Sequence, residues 1–381
     1  MKKLLMVTTV PDTLRAFFLP FANYFRTQGW QVDAMACKVS KDAECVEAFN
    51  YVWDVEWSRN PLNPSNLFSV PQKIRKIVAI EQYDLVHVFT PVAAFVTRYA
   101  LKSINHQERP KIIYTALGFH FYQGGNPFRN KVFLTLEKLA GPWTDYLVVV
   151  NSEDLHAAKK YSLLPSENIL NIPSGIGVNL DKFSFNYITE AEVIKAHQDL
   201  GIAEDNSLLL SVAEFIPRKH PQDILRAFAK LARPEVHLAF AGDGLLLKKM
   251  QLLAIDLGIS KNVHFLGYRR DISILMRSSK AVILASEQEG LPISVIESLC
   301  METPVIGTDI RGTRDLLQKK CGLLVKLEDI DGLSKAMAWI LDNPEDAQIM
   351  GKIGRKQMQI YEKNHVINLH KNLYDKALES K

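Results

Sequence analysis

Two carboxylates frame the stretch Glu289-Gly-Leu-Pro-Ile-Ser-Val-Ile-Glu297, directly after the apolar run Ala281-Val-Ile-Leu-Ala-Ser286. Short, β-branched and ended by polar residues, that run predicts a buried parallel strand. Pro292 suits the first turn of a helix, where its missing N–H has no intrahelical partner to lose. Ile293, Ile296, Leu299 and Cys300 would continue that helix. Strand, tight loop and helix N-terminus in succession bring unpaired amides and the positive end of the macrodipole to one point, which favours an anion such as a nucleotide phosphate. Two carboxylates beside an anion site suit hydroxyl-rich cargo. The same spacing also fits a solvated Glu289 and a helix-surface Glu297.

Three further stretches carry chemistry. Arg218 and Lys219, in Ala213-Glu-Phe-Ile-Pro-Arg-Lys-His-Pro221, are adjacent cations in a loop before a helix. Arg can neutralise a diphosphate through two parallel hydrogen bonds and Lys as a point charge; a solvated basic loop is the alternative. Phe265-Leu-Gly-Tyr-Arg-Arg-Asp271 ends a strand, and backbone groups around Gly267 could read the edge of a base while Tyr268 or Arg269 flanks its face. An ordinary turn with Asp271 as helix cap explains it equally. His120 follows a strand in the aromatic loop Thr115-Ala-Leu-Gly-Phe-His-Phe-Tyr122, over an expected cleft; a purely structural histidine is the alternative. Ala241-Gly-Asp-Gly244 is half of a dinucleotide-type turn, but Leu247 stands where a third glycine would be, so a tight strand-to-helix turn suffices.

The elements that must position these groups repeat one pattern. Leu4–Val10, Gln31–Cys37, Val52–Val55, Asp84–Phe89, Lys111–Thr115 and Tyr146–Val150 read as strands. Helices are expected over Arg15–Gln28, Pro71–Glu81 and Phe128–Leu139. From Ile169 to Phe183 the pattern lapses at Pro173, Gly175 and Gly177, which places a domain junction there. It then restarts with strands Ser207–Ala213, Val236–Ala241, Val263–Leu266, the Ala281 run, Pro304–Thr308 and Gly322–Val325. Helices are expected over Gln222–Ala232, Leu245–Leu257 and Ile272–Arg277. Alternating short apolar strands and helices imply an α/β chain with two Rossmann-like, doubly wound parallel sheets, whose ligands sit beyond the strands' carboxyl ends.

A length of 381 residues suits two domains, and 47% hydrophobic with 23% charged residues suits a soluble globular protein. A formal charge of +4 argues against a dedicated nucleic-acid binder. Residues 1–175 hold 19 Lys and Arg against 15 Asp and Glu, whereas the remainder is balanced, which weakly favours an anionic partner on the N-terminal half. Cys37, Cys45, Cys300 and Cys321 have no metal-ligand spacing and read as reduced thiols of a cytosolic protein, with no metal site. The N-terminal apolar run ends at Pro11-Asp12 without a cleavage motif and reads as a strand. No apolar run reaches the roughly 18 residues that span a bilayer.

Together the second-half motifs closely resemble the retaining nucleotide-sugar glycosyltransferases of glycosyltransferase family 4. The resemblance is carried by the Glu289/Glu297 pair, Arg218-Lys219, Ala241-Gly-Asp-Gly244, Phe265-Leu-Gly-Tyr-Arg269 and Thr303-Pro-Val-Ile-Gly-Thr-Asp-Ile-Arg-Gly312. Thr115 to Tyr122 looks like the branch that builds bacterial capsule, exopolysaccharide or O-antigen units. The resemblance implies the GT-B fold. An acceptor-binding domain over 1–175 would be completed by a C-terminal helix over 359–381, with a donor-binding domain over 176–358. It implies that Glu289 binds donor-sugar hydroxyls and Glu297 the ribose. The amides of Gly290, Leu291 and Ile293, with Arg218 and Lys219, would hold the diphosphate, Gly267 to Arg269 the base, and His120 would face the donor sugar.

The implied activity is metal-independent transfer of a hexose or N-acetylhexosamine from a UDP-sugar to a lipid-linked glycan, by front-face attack. Where many relatives have a Gly-Gly turn this chain reads Thr9-Val-Pro-Asp-Thr-Leu-Arg15, and Arg15 is the candidate replacement phosphate contact. Phe17-Phe18-Leu19 and Pro127-Phe128-Arg129-Asn-Lys131 suggest a peripheral membrane contact for a polyprenyl-diphosphate-linked acceptor; packed helices are the alternative. Two other functions fit the same residues: a UDP-sugar epimerase of similar fold, and a nucleotide-sugar-binding module without turnover.

Overall fold

The computed structural model describes residues 1–58, 63–105, 108–172 and 175–379; Pro173, one of the expected junction residues, lies outside them. The chain divides into two units, Met1–Gly177 with Lys363–Lys381, and Val178–Glu362.

The first unit is built on strands β1 (Lys3–Val7), β2 (Gln31–Ala36), β3 (Val52–Asp54), β4 (Leu85–Val88), β5 (Lys111–Ala116), β6 (Tyr146–Val149) and β7 (Ile169–Asn171). All pair in parallel, in the order β3-β2-β1-β4-β5-β6-β7. The order reverses between β1 and β4, so the sheet is doubly wound. Leu4 to Val7 and Leu85 to Val88 are fully buried, as both-face coverage by helices requires of a parallel sheet. The C-terminal helix Lys363–Glu379 belongs to this unit and buries Val366, Ile367, His370, Leu373, Tyr374 and Ala377. It is anchored where the Tyr374 hydroxyl meets His87 Nδ1 at 2.6 Å.

The second unit repeats the plan with β8 (Ser207–Val212), β9 (Val236–Ala241), β10 (Val263–Phe265), β11 (Ala281–Leu284), β12 (Val305–Thr308) and β13 (Gly322–Val325). Its parallel order is β10-β9-β8-β11-β12-β13. The reversal falls between β8 and β11, which pair through Ala281 with Leu209 and Val282 with Leu210. Ligands of such sheets bind outside the carboxyl ends at this reversal. The loops that begin at Ala213 and Ala285 therefore flank the expected ligand position.

Several elements differ from expectation. The stretch expected to lapse from Ile169 opens with β7, because the edge of β6 offers a ladder that Ile169 to Asn171 can join. The first helix begins at Pro11 rather than Arg15 and contains a π-helical turn, Leu14–Phe18, before Leu19–Thr27. Helix Pro91–Leu101 was not foreseen: apolar on most of its circumference, with eight buried residues, it shows no amphipathic period to read. Among the described residues, no helix is long and apolar enough to cross a membrane.

Candidate functional site

At the reversal of the second sheet the loops after β8 and β11 are stitched together. Glu287 N–H donates to the Arg218 carbonyl at 2.9 Å. Arg218 Nη1 donates back to the Gln288 carbonyl at 2.5 Å and lies 3.4 Å from Glu289 Oε1. Lys219 Nζ reaches Glu289 Oε1 at 2.5 Å. The structure thus brings Arg218, Lys219 and Glu289 into one cluster, although about seventy residues separate them in sequence. Side-chain exposure is 10% for Glu289, 15% for Lys219 and 39% for Arg218, so the carboxylate is sheltered while one guanidinium faces solvent. One carboxylate beside two cations leaves the cluster positive, ready for a further anion.

Beyond it the helix Ile293–Cys300 has Pro292 as its N-cap rather than in its first turn, so it begins one residue later than expected, and Val295 N–H donates to the Pro292 carbonyl. The amides of Ile293 and Ser294 start the helix without an intrahelical acceptor. Val295, Ile296 and Leu299 pack on the sheet and fix the helix direction. Glu297 lies one turn in, half-buried, and burial raises its carboxyl to about 7 although Lys182 pulls the other way.

Close backbone approach shapes the surrounding turns. Gly242 has φ +155, and a Cβ there would lie 2.0 Å from the Ala213 carbonyl oxygen. Only glycine lets the turn after β9 press on the loop that carries Arg218. Gly242 N–H also donates to the Gly267 carbonyl at 2.8 Å, which ties in the third expected loop. There Gly267 adopts φ +65 and Tyr268 is 81% exposed. Arg269 is engaged rather than open: its Nε and Nη2 pair with Asp271 at 2.8 and 2.5 Å. That pairing raises the guanidinium and lowers the Asp271 carboxyl from their ordinary values. Asp271 occupies the N-cap of helix Ile272–Arg277 without capping it through its side chain, because the carboxylate is spent on Arg269.

In the first unit, His120 is exposed in the loop after β5, its ring 5.0 Å from that of Phe133. The neighbouring Phe119 N–H is held by Asp154 at 3.1 Å, and Phe119 stacks on Phe121 at 4.7 Å, so the loop backbone is anchored on both sides of the histidine. Arg15 sits in the π turn, with its guanidinium shared between Asp12 and Asp42. A phosphate at Arg15 would have to displace or share those carboxylates. Phe18 is fully buried, its ring 3.8 Å from that of Phe89, so Phe17-Phe18-Leu19 forms no exposed apolar face. Phe128 behaves differently: it is 76% exposed at the start of helix Pro127–Ala140, in which only Ala140 is buried.

Residues that sequence reasoning passed over include Gln288 and Arg311. Arg311 is 3% exposed and donates through Nε to the Glu289 carbonyl at 3.0 Å. It stands two residues after Asp309 in the stretch Thr303 to Gly312, so charge alone did not single it out.

Two family models match the chain: Glycosyl transferase 4-like over residues 6–151, and Glycosyl transferases group 1 over residues 192–357. The EpsD protein of Bacillus subtilis (strain 168), assigned by name to the glycosyltransferases, is 32% identical over 359 residues, covering 93% of this chain and 91% of that protein. The UDP-Gal:alpha-D-GlcNAc-diphosphoundecaprenol alpha-1,3-galactosyltransferase of Escherichia coli is 26% identical over 274 residues, covering 70% of this chain and 69% of that protein. Among solved structures, Anabaena Alr3699/HepE in complex with UDP and glucose superposes with a TM-score of 0.81 at 17% identity, covering 99% of this chain and all of that one. Sucrose-phosphate synthase from Thermosynechococcus elongatus superposes at 0.84 with 18% identity over the whole of both chains.

Proposed function

From the premise that the chain belongs to the GT-B glycosyltransferases, family 4, we propose that it moves a hexose or N-acetylhexosamine from a UDP-sugar to a glycan acceptor carried on a polyprenyl diphosphate. The observation that carries this reading is the cluster of Arg218, Lys219 and Glu289 at the reversal of the second sheet, beside a helix N-terminus. Cations and amides there suit a diphosphate, and a sheltered carboxylate beside them suits sugar hydroxyls. The name of the undecaprenol-linked galactosyltransferase supports the lipid-linked acceptor, and such an acceptor suits a role in bacterial surface polysaccharide synthesis.

In this mechanism the bond between the sugar's anomeric carbon and the diphosphate oxygen breaks as the acceptor hydroxyl oxygen bonds to the same face. The acceptor's proton passes to the departing UDP, and configuration is retained. Charge developing on the diphosphate is met by Arg218, Lys219 and the amides of Gly290, Leu291 and Ile293, a preorganised positive site that needs no metal ion. Glu289 orients the sugar, Glu297 binds the ribose, the Gly267–Arg269 loop holds the base, and His120 donates to a sugar hydroxyl. The chain works on the cytoplasmic side of the membrane. Helix Pro127–Ala140, with Phe128 exposed next to Arg129 and Lys131, is the surface that meets anionic lipid. Flotation with anionic liposomes tests that surface, and no binding would remove it. A thermal-shift screen of nucleotide sugars tests the donor: stabilisation by UDP-sugars is expected, and a preference for GDP- or ADP-sugars over all of them would overturn the assignment.

A further inference from the structure

Arg311 has no part in the reading so far, yet it is a buried cation directly behind the cluster. Its Nε donates to the carbonyl of Glu289 at 3.0 Å. The described chain has no cis peptide bonds, and in a planar trans peptide the C=O and the following N–H point in opposite directions. Holding the Glu289 carbonyl toward Arg311 therefore sends the Gly290 N–H out on the far side. The next peptide is constrained in the same sense. Gly312 has φ +74, and a Cβ there would lie 2.3 Å from the Gly290 carbonyl oxygen but 2.9 Å from its carbon. The oxygen thus faces the 311–312 turn, and the Leu291 N–H leaves on the opposite side. Two successive amides are aimed by one turn.

The choice of arginine matters. Its planar fork is preorganised, so it fixes the peptide plane more firmly than a flexible ammonium would.

We infer that Arg311 is a positioning residue that aims the Gly290 and Leu291 amides at the donor's diphosphate. This rests on the donor site proposed above. Arg311 touches neither sugar nor phosphate; it acts through the backbone of residues 289 to 291.

The test compares two ligands in Arg311→Lys and Arg311→Gln: UDP, which carries the diphosphate, and uridine, which lacks it. Titration calorimetry gives the first affinity and ligand-observed NMR the second. Loss of well-aimed amide contacts should weaken UDP by about 10-fold in both variants. Uridine affinity should stay within about twofold of the parent. Equal weakening of both ligands would mean that Arg311 merely supports the fold, and unchanged UDP affinity would mean that it aims nothing; either overturns the inference. A parent protein that binds UDP no better than uridine would instead sink the donor reading itself. Should one variant fail to fold, the other decides, because Gln keeps a donor without the charge and Lys keeps the charge without the fork.

Discussion

Replacing Glu289 by Gln removes one negative charge from the Arg218–Lys219 cluster and leaves the side chain's shape intact. That carboxylate lies 2.5 Å from Lys219 Nζ and 3.4 Å from Arg218 Nη1. An arriving diphosphate must share those cations with it and sit beside its charge. Two unit charges 4 Å apart interact by about 4 kcal/mol at an effective dielectric of about 20. With Arg218 partly in solvent, only a fraction of this counts. About 1–2 kcal/mol is expected, which is about 5- to 30-fold tighter UDP binding in Glu289→Gln. Turnover should move the other way. A charge-assisted hydrogen bond to a sugar hydroxyl is worth about 1.5–3 kcal/mol, so transfer should fall by about 10- to 150-fold. Titration calorimetry with UDP at low and high salt measures the first effect, and the rate of UDP release from the donor measures the second. Salt should shrink the gain in binding, because it is electrostatic. Weaker UDP binding with unaffected turnover would refute both the shared-cation argument and the role of Glu289.

Four further outcomes are expected. Glu297, with its carboxyl raised to about 7, keeps a proton in the folded chain that the unfolded chain loses near 4.5, so its contribution to stability is full below that value and gone above about 7. Glu297→Gln should flatten the fall in melting temperature between pH 5 and pH 8, by up to about 3 kcal/mol in stability; identical slopes would contradict it. Tyr268→Ala should leave the melting temperature unchanged, since the ring is exposed, yet weaken UDP by about 1 kcal/mol if it flanks the base; unchanged affinity would remove it from the site. Tyr374→Phe leaves buried His87 without its 2.6 Å partner and should cost about 1–3 kcal/mol by urea unfolding. The same helix should loosen in acid. Burial depresses His87 and takes His370 to about 4, so their stabilisation is present above 6.5 and is lost as pH falls through those lowered values, which hydrogen exchange in Lys363–Glu379 would register.

Much of the scaffold was legible because parallel strands buried on both faces must be apolar. Val236–Ala241 and Ala281–Leu284 carry that constraint on their surface as composition. The cluster was legible for a related reason. Arg218, Lys219 and Glu289 each follow a strand, and topology gathers strand ends that sequence separates. What escaped notice depends on tertiary partners. β7 is a strand only because β6 offers an edge. Arg15 looked available until Asp42, twenty-seven residues away, closed on it. Arg269 likewise looked open until Asp271 turned from capping to pairing. Arg311 carries no local signal of its role, since the carbonyl it holds is set by the packing of two loops.

The central claim is that the carboxyl-end cluster of the second unit is a UDP-sugar site, and the structure of the UDP complex tests it most directly. The account predicts diphosphate oxygens within hydrogen-bond reach of Arg218, Lys219 and the Leu291 and Ile293 amides, with ribose hydroxyls at Glu297 and uracil against the Gly267–Arg269 loop. UDP bound away from Arg218 and Lys219, or a cluster that stays closed on Glu289 with saturating UDP, would contradict it.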